Sequence, residues 1–166
     1  MSRPTRALVS LDNLRHNAAL AASLAPHASL MAVVKADGYG HGAARVAAAL
    51  VDHASAFAVA SLEEATRLRE SGITHPILLL EGFFSASEIP EAAAINAWAM
   101  VTCQEQLHWL REARLPAPMT CWLKIDTGMH RLGVVPEDAA GFVDELRSTP
   151  NANRDIVLCT HFSRAD

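Results

Sequence analysis

Cysteine is scarce and scattered: the three present, Cys103, Cys121 and Cys159, are odd in number and form no C-x-x-C pair. That usage argues against a disulfide framework or a zinc ribbon and fits a reducing cytoplasm. No apolar run approaches the roughly 20 residues a bilayer-crossing helix needs. The first eleven residues lack the basic-then-apolar profile of a signal peptide, so a soluble, cytoplasmic chain without a membrane partner is expected. Lys and Arg number 14 against 18 Asp and Glu and form no basic stripe, which makes nucleic acid a poor partner. None of the eight histidines stands in H-x-H or H-x-x-x-H spacing with another, so no metal site is expected. Internal repeats, low-complexity tracts and long linkers are also lacking, and residues 1–166 read as one unit.

What the chain does have is apolar content, 51% of residues, enough to exclude intrinsic disorder. It is arranged in short β-branched or apolar runs, at Leu30 to Val34, Ala56 to Ala60, Ile77 to Leu80, Trp98 to Val101, Met119 to Ile125 and Ile156 to Cys159, which read as buried strands. Helical patterns lie between them. Ser61 with Glu64, and Thr102 with Glu105, have capping-box spacing. Ala43, Val46, Ala47 and Leu50 share one helix face, and Pro136 suits a first helical position ahead of Ala139, Phe142, Val143 and Leu146. An earlier helix over Asp12 to Ala25 ends where Pro26 forbids continuation. Alternating strands and helices with continuously apolar strands predict an α/β fold with a parallel sheet, and periodicity leaves an open doubly wound sheet and a barrel equally available.

The segment Ala32-Val33-Val34-Lys35-Ala36-Asp37-Gly38-Tyr39-Gly40-His41-Gly42 places a lysine at a strand's C-terminal end, where α/β folds gather active sites. A partly desolvated amine there loses its proton more readily and becomes able to condense with an aldehyde. Tyr39 and the Gly40 to Gly42 backbone, opening a helix, suit an anion such as phosphate. On spacing alone the ordinary alternative, an amine in solvent beside loop glycines, stands first, and His41 reads equally as a turn residue. A second segment, Trp122-Leu123-Lys124-Ile125-Asp126-Thr127-Gly128-Met129-His130-Arg131-Leu132-Gly133, again follows a strand. Its Asp-Thr-Gly is not half of an aspartic-protease dyad, because no second copy supplies the partner carboxylate; a solvated Lys-Asp-Arg patch is the plain alternative. A third, Thr160-His161-Phe162-Ser163-Arg164-Ala165-Asp166, ends the sixth run, where a core histidine is the plain reading.

Together these segments resemble the alanine racemases, fold-type III enzymes dependent on pyridoxal 5'-phosphate (PLP). The first looks like the family's cofactor-attachment signature, the second like L-K-x-D-T-G-M-x-R-x-G, and the third like T-H-F-x-x-A-D. The opening, Thr5 to Asn17, is similar to the family's start. The resemblance implies an incomplete (β/α)8 barrel of the TIM type, with about six of eight strands present. It also implies a strand over residues 1–11 that would pair with a C-terminal β-domain absent from this sequence. It makes Lys35 the Schiff-base lysine, Tyr39 a phosphate ligand, Arg131 the partner of the cofactor's phenolic oxygen and His161 a neighbour of its ring. Lys124 becomes the lysine that many members carry as a carbamate, an anion able to fix the arginine. The implied reaction interconverts L- and D-alanine, supplying D-alanine for peptidoglycan, in a homodimer whose second face is served by a tyrosine of the other subunit. These 166 residues alone are expected to be a fragment without racemase activity. Other fold-type III proteins, such as PLP-homeostasis proteins and D-amino-acid lyases, are the nearest alternative, disfavoured by the D-T-G-M-x-R segment beside Lys124. A non-catalytic remnant packing through an open barrel edge is a further one.

Overall fold

A computed structural model describes residues 7–164. Residues 7–10 have no regular structure, and the rest of the anticipated N-terminal strand lies outside the described residues. Ser10 then caps α1 (Leu11–Leu24), its hydroxyl accepting from the Asn13 N–H at 3.2 Å, and the helix closes just ahead of Pro26 as proline chemistry requires.

Six short strands follow: β1 (Met31–Val33), β2 (Ala56–Val59), β3 (Ile77–Leu79), β4 (Ala97–Val101), β5 (Cys121–Lys124) and β6 (Val157–Cys159). Each falls within or one residue beyond an apolar run read from the sequence. All five neighbouring pairs are parallel and the spatial order is the chain order. That order decides between the two architectures. A doubly wound sheet reverses direction at a switch point and covers both faces with helices, whereas unbroken sequential order with right-handed crossovers places every crossover on the same face and curls toward a barrel.

The crossover helices are α3 (Ala43–Leu50), α4 (Leu62–Glu70), α5 (Glu88–Ala94), α6 (Gln104–Glu112) and α7 (Ala139–Ser148), the last entered through a 3-10 turn at Pro136–Asp138. Strand alternation sorts side chains onto two faces. Phe57, Val59, Ile77, Leu79, Cys121 and Leu123 enter the large core beneath the helices. Ala58, Leu78 and Met100, with Trp98 and Trp122 against them, form a second cluster on the opposite, inner face. Burial pushes the Cys121 thiol up to about 12, so it behaves as a small apolar residue.

Neither expected capping box forms. Ser61 makes no side-chain cap, and Glu64 reaches back beyond it to Ala60 N and Ala36 N. At α6 the N-cap is Cys103 rather than Thr102. Thr102 gives its N–H and hydroxyl to the Gln106 carbonyl oxygen at 2.9 and 3.0 Å, while the Gln106 amide nitrogen donates to the carbonyls of Glu81 and Phe83. In both cases a residue one turn into the helix has a side chain long enough to satisfy a neighbouring strand end.

Candidate active site

Between β1 and α3 the chain makes a one-turn helix, α2 (Lys35–Tyr39), wound left-handed: φ is +52° at Ala36, +54° at Asp37, +62° at Gly38 and +56° at Tyr39. Its turn is closed by Gly38 N–H to Val34 carbonyl at 2.8 Å and Gly40 N–H to Ala36 carbonyl at 3.0 Å. Left-handed winding costs an L-residue about 1–2 kcal/mol, so the three non-glycine positions store roughly 3–6 kcal/mol that surrounding contacts must offset. Glycine is required at position 38: the residue is buried, and a Cβ there would stand 3.3 Å from Ala43 N and Cα. The Asp37 carboxylate accepts the Ala43 N–H at 2.8 Å. The amides of Gly40, His41 and Gly42, the stretch that the sequence suggested for an anion, are likewise taken, by the carbonyls of Ala36, Gly38 and Asp37.

The turn directs Lys35 and Tyr39 toward a cavity of about 430 Å3 at the C-terminal ends of the strands. All five residues singled out from sequence border it: Lys35 and Tyr39 from the β1 end, Lys124 from β5, Arg131 from the following loop and His161 from the β6 end. Val33, Leu80, Met100, Met129 and Leu132 supply apolar walls, and Glu81 a carboxyl-bearing residue that the sequence reading passed over. Its only advance signal was its place just past the third apolar run.

Arg131 is positioned by a loop that folds on Asp126. The Asp126 carboxylate accepts from Gly128 N and His130 N, both at 3.0 Å, and from His130 Nδ1 at 3.2 Å. The hydrogen bond from His130 N, then that from Gly128 N, holds its carboxyl below the usual aspartate range. The loop's return is sealed by Asp126 N–H to Val134 carbonyl at 2.8 Å and Val134 N–H to Lys124 carbonyl at 3.0 Å. Gly133, at φ +116°, passes so close that a Cβ would lie 2.9 Å from Asp126 N and Lys124 Cγ. A hydroxyl clasp joins this loop to the end of β6. Thr160 donates to the Ile125 carbonyl at 3.0 Å, so Thr127 is the donor in its 2.7 Å contact with Thr160. The last two residues of the third motif, Ala165 and Asp166, lie outside the described residues.

The cavity's electrostatics are one-sided. Lys35, Lys124 and Arg131 converge on it, and among the described residues no carboxylate lies within ion-pair distance of any of them. Three cations with so little compensation make a site for an anion. An amine, a phenol, a guanidinium and an imidazole facing one space also form a donor set that fits PLP, whose phosphate and phenolic oxygens are acceptors and whose aldehyde takes an amine.

The model of the alanine racemase N-terminal domain matches residues 9–166. A catabolic alanine racemase of Pseudomonas aeruginosa is 51% identical over 164 residues, covering 99% of this chain and 45% of the relative. A biosynthetic alanine racemase of Escherichia coli is 50% identical over 159 residues, covering 96% of this chain and 44% of the relative. Among solved structures, the biosynthetic alanine racemase of P. aeruginosa superposes with a TM-score of 0.86 at 44% identity, covering 92% of this chain and 42% of that one. The E. faecalis alanine racemase gives 0.87 at 34% identity, covering 97% and 44%. The chain thus spans a little under half the length of the relatives it matches. Over that span its fold superposes on theirs, and the chain belongs to the alanine racemase family, in the part that its N-terminal domain describes.

Proposed function

We propose that this chain forms the lysine-bearing side of an alanine racemase active site, interconverting L- and D-alanine for peptidoglycan in a cytoplasmic homodimer. The observation that supports it most is the convergence of Lys35, Tyr39, Lys124, Arg131 and His161 on one cavity from three separate stretches of sequence. PLP, when bound, acidifies the α-hydrogen of an amino acid joined to it by spreading the resulting charge into its ring.

The chain's own residues carry the remaining roles. Lys35 Nζ would hold the cofactor through its aldehyde, and as a free amine it would take or return the α-proton on one face of alanine. The Tyr39 hydroxyl would donate to the cofactor's phosphate. Arg131 would donate to the cofactor's phenolic oxygen, and its planar fork is best fixed by an anion, a role that a carbamate on Lys124 would fill. His161 would be among the residues that hold the cofactor, and Val33, Leu80 and Met100 give the cavity an apolar wall. Inversion needs a second base on the opposite face, and that group is assigned to the partner subunit.

Borohydride reduction in the presence of PLP, followed by peptide mass mapping, tests the assignment. Label on Lys35 is expected. Lys35→Ala is expected to abolish that label and, in a complete racemase that contains this chain, to lower racemisation by at least about 10²–10⁴-fold, the range for losing a positioned base. Label on any other lysine of the unmodified protein overturns the reading.

A further inference from the structure

Where the β1–β2 ladder runs out, its last rung is the Val34 N–H to the Ala58 carbonyl at 2.8 Å. Past it β1 enters the left-handed turn and β2 bends toward α4. The donors just beyond, Ala36 N–H and Ala60 N–H, are both taken by Glu64: Oε1 accepts from Ala36 at 2.6 Å and Oε2 from Ala60 at 2.8 Å. One carboxylate so replaces a missing rung between two strand ends, and the first of these amides belongs to the residue directly after Lys35.

We propose that Glu64 is the positioning residue for Lys35, fixing the start of the left-handed turn so that the amine is presented to the cavity. A carboxylate is the one side chain that offers two acceptors and no donor in a short fork, and two N–H groups pointing at one spot require that. The carboxamide of glutamine would set its own NH2 against one of them, leaving an unsatisfied donor at the strand end. A helix-capping glutamate would stop at the N-cap backbone of its own helix; this one crosses to a different strand.

The inference rests on Lys35 being the condensing amine, and its test separates the two. In protein freed of PLP and then reconstituted with it, E64Q is compared with wild type and with E63Q, an exposed neighbour on the same helix. The rate of borohydride-trappable PLP attachment to Lys35 is followed against PLP concentration, together with the melting temperature and amide exchange at Ala36. E64Q is expected to lower the maximal attachment rate by about tenfold or more, since small misplacements of a reacting group have large effects. The PLP concentration at half-saturation should stay near wild type, and E63Q should match wild type throughout. Equal maximal rates in E64Q and wild type overturn the proposal, as does a fall that tracks loss of melting temperature alone. Should E64Q fail to fold, exchange in the wild type decides: protection at Ala36 and Ala60 supports the rung, and exchange at the rate of an open loop overturns it. Label on a different lysine in wild type removes the Lys35 assignment instead, while the exchange at Ala36 still reads the rung.

Discussion

Arg131 lies in a loop whose shape depends on Asp126 more than on any apolar packing, because most residues from Thr127 to Leu132 are exposed. Asp126→Ala is therefore expected to free the Gly128 and His130 amides to exchange and to weaken PLP binding several-fold while leaving the melting temperature nearly unchanged; amide exchange and a PLP titration check it. The pH sign follows from the direction of the shift. A carboxyl whose folded pKa is depressed contributes fully above its unfolded value and loses that contribution as pH falls through the folded one. The loop should thus hold its form at neutral pH and open only in acid below the ordinary aspartate range, visible in the Gly128 amide resonance. Arg131 itself was legible as part of a motif. Asp126 was legible as a letter of the same motif and as half of a protease signature to be rejected, but its loop-holding role was not, because its partners are chiefly backbone amides, which leave no pattern of residue types.

At the scale of elements, the six strands were readable because buried parallel strands are continuously apolar, and the helices because their apolar faces repeat at the helical period. The hand of α2 was not readable. Glycines at 38, 40 and 42 announced a tight turn, but nothing in Ala36 or Tyr39 favours positive φ, and Asp37 only tolerates it better than most. Tertiary contacts impose it, including Glu64 on Ala36 and Asp37 on Ala43. Gly38→Ala is expected to lower stability by about 1–2 kcal/mol or more, combining left-handed strain with crowding against Ala43, as a urea melt would measure. Ala36→Gly should move it the other way by less, since glycine's extra unfolded-state entropy offsets about 0.5–1 kcal/mol of the relief. The capping boxes misled for a related reason: spacing identifies a glutamate or threonine able to cap, yet cannot tell whether another strand's amide competes for the glutamate, as at Glu64, or a longer side chain takes the threonine, as Gln106 takes Thr102.

Across the whole molecule, side-chain ties join neighbouring strand ends around the cavity: Glu64 between β1 and β2, Gln106 between the segments after β3 and β4, and Thr160 with Thr127 between β5 and β6. The opposite end has its own. Arg69 spreads its guanidinium over the carbonyls of Ile73, His75, Ile95 and Asn96 at 2.6–3.2 Å, and burial draws its pKa below the usual arginine value. Arg69→Ala should lower the unfolding free energy by about 2–3 kcal/mol, the worth of hydrogen bonds from a charged group, with the cavity's PLP affinity retained. Denaturant melts beside a PLP titration read both. Strand order, which selected the barrel, was beyond periodicity and came from the family resemblance alone.

The inner cluster holds two of the chain's three tryptophans, Trp98 and Trp122, stacked with centroids 6.0 Å apart beside Met100, itself part of the cavity wall. The Trp122 indole N–H is shielded and has no acceptor among the described residues. Because Met100 touches both this pair and the cavity, filling the cavity is expected to change the colour and brightness of the pair's ultraviolet emission, a built-in optical gauge with no dye attached.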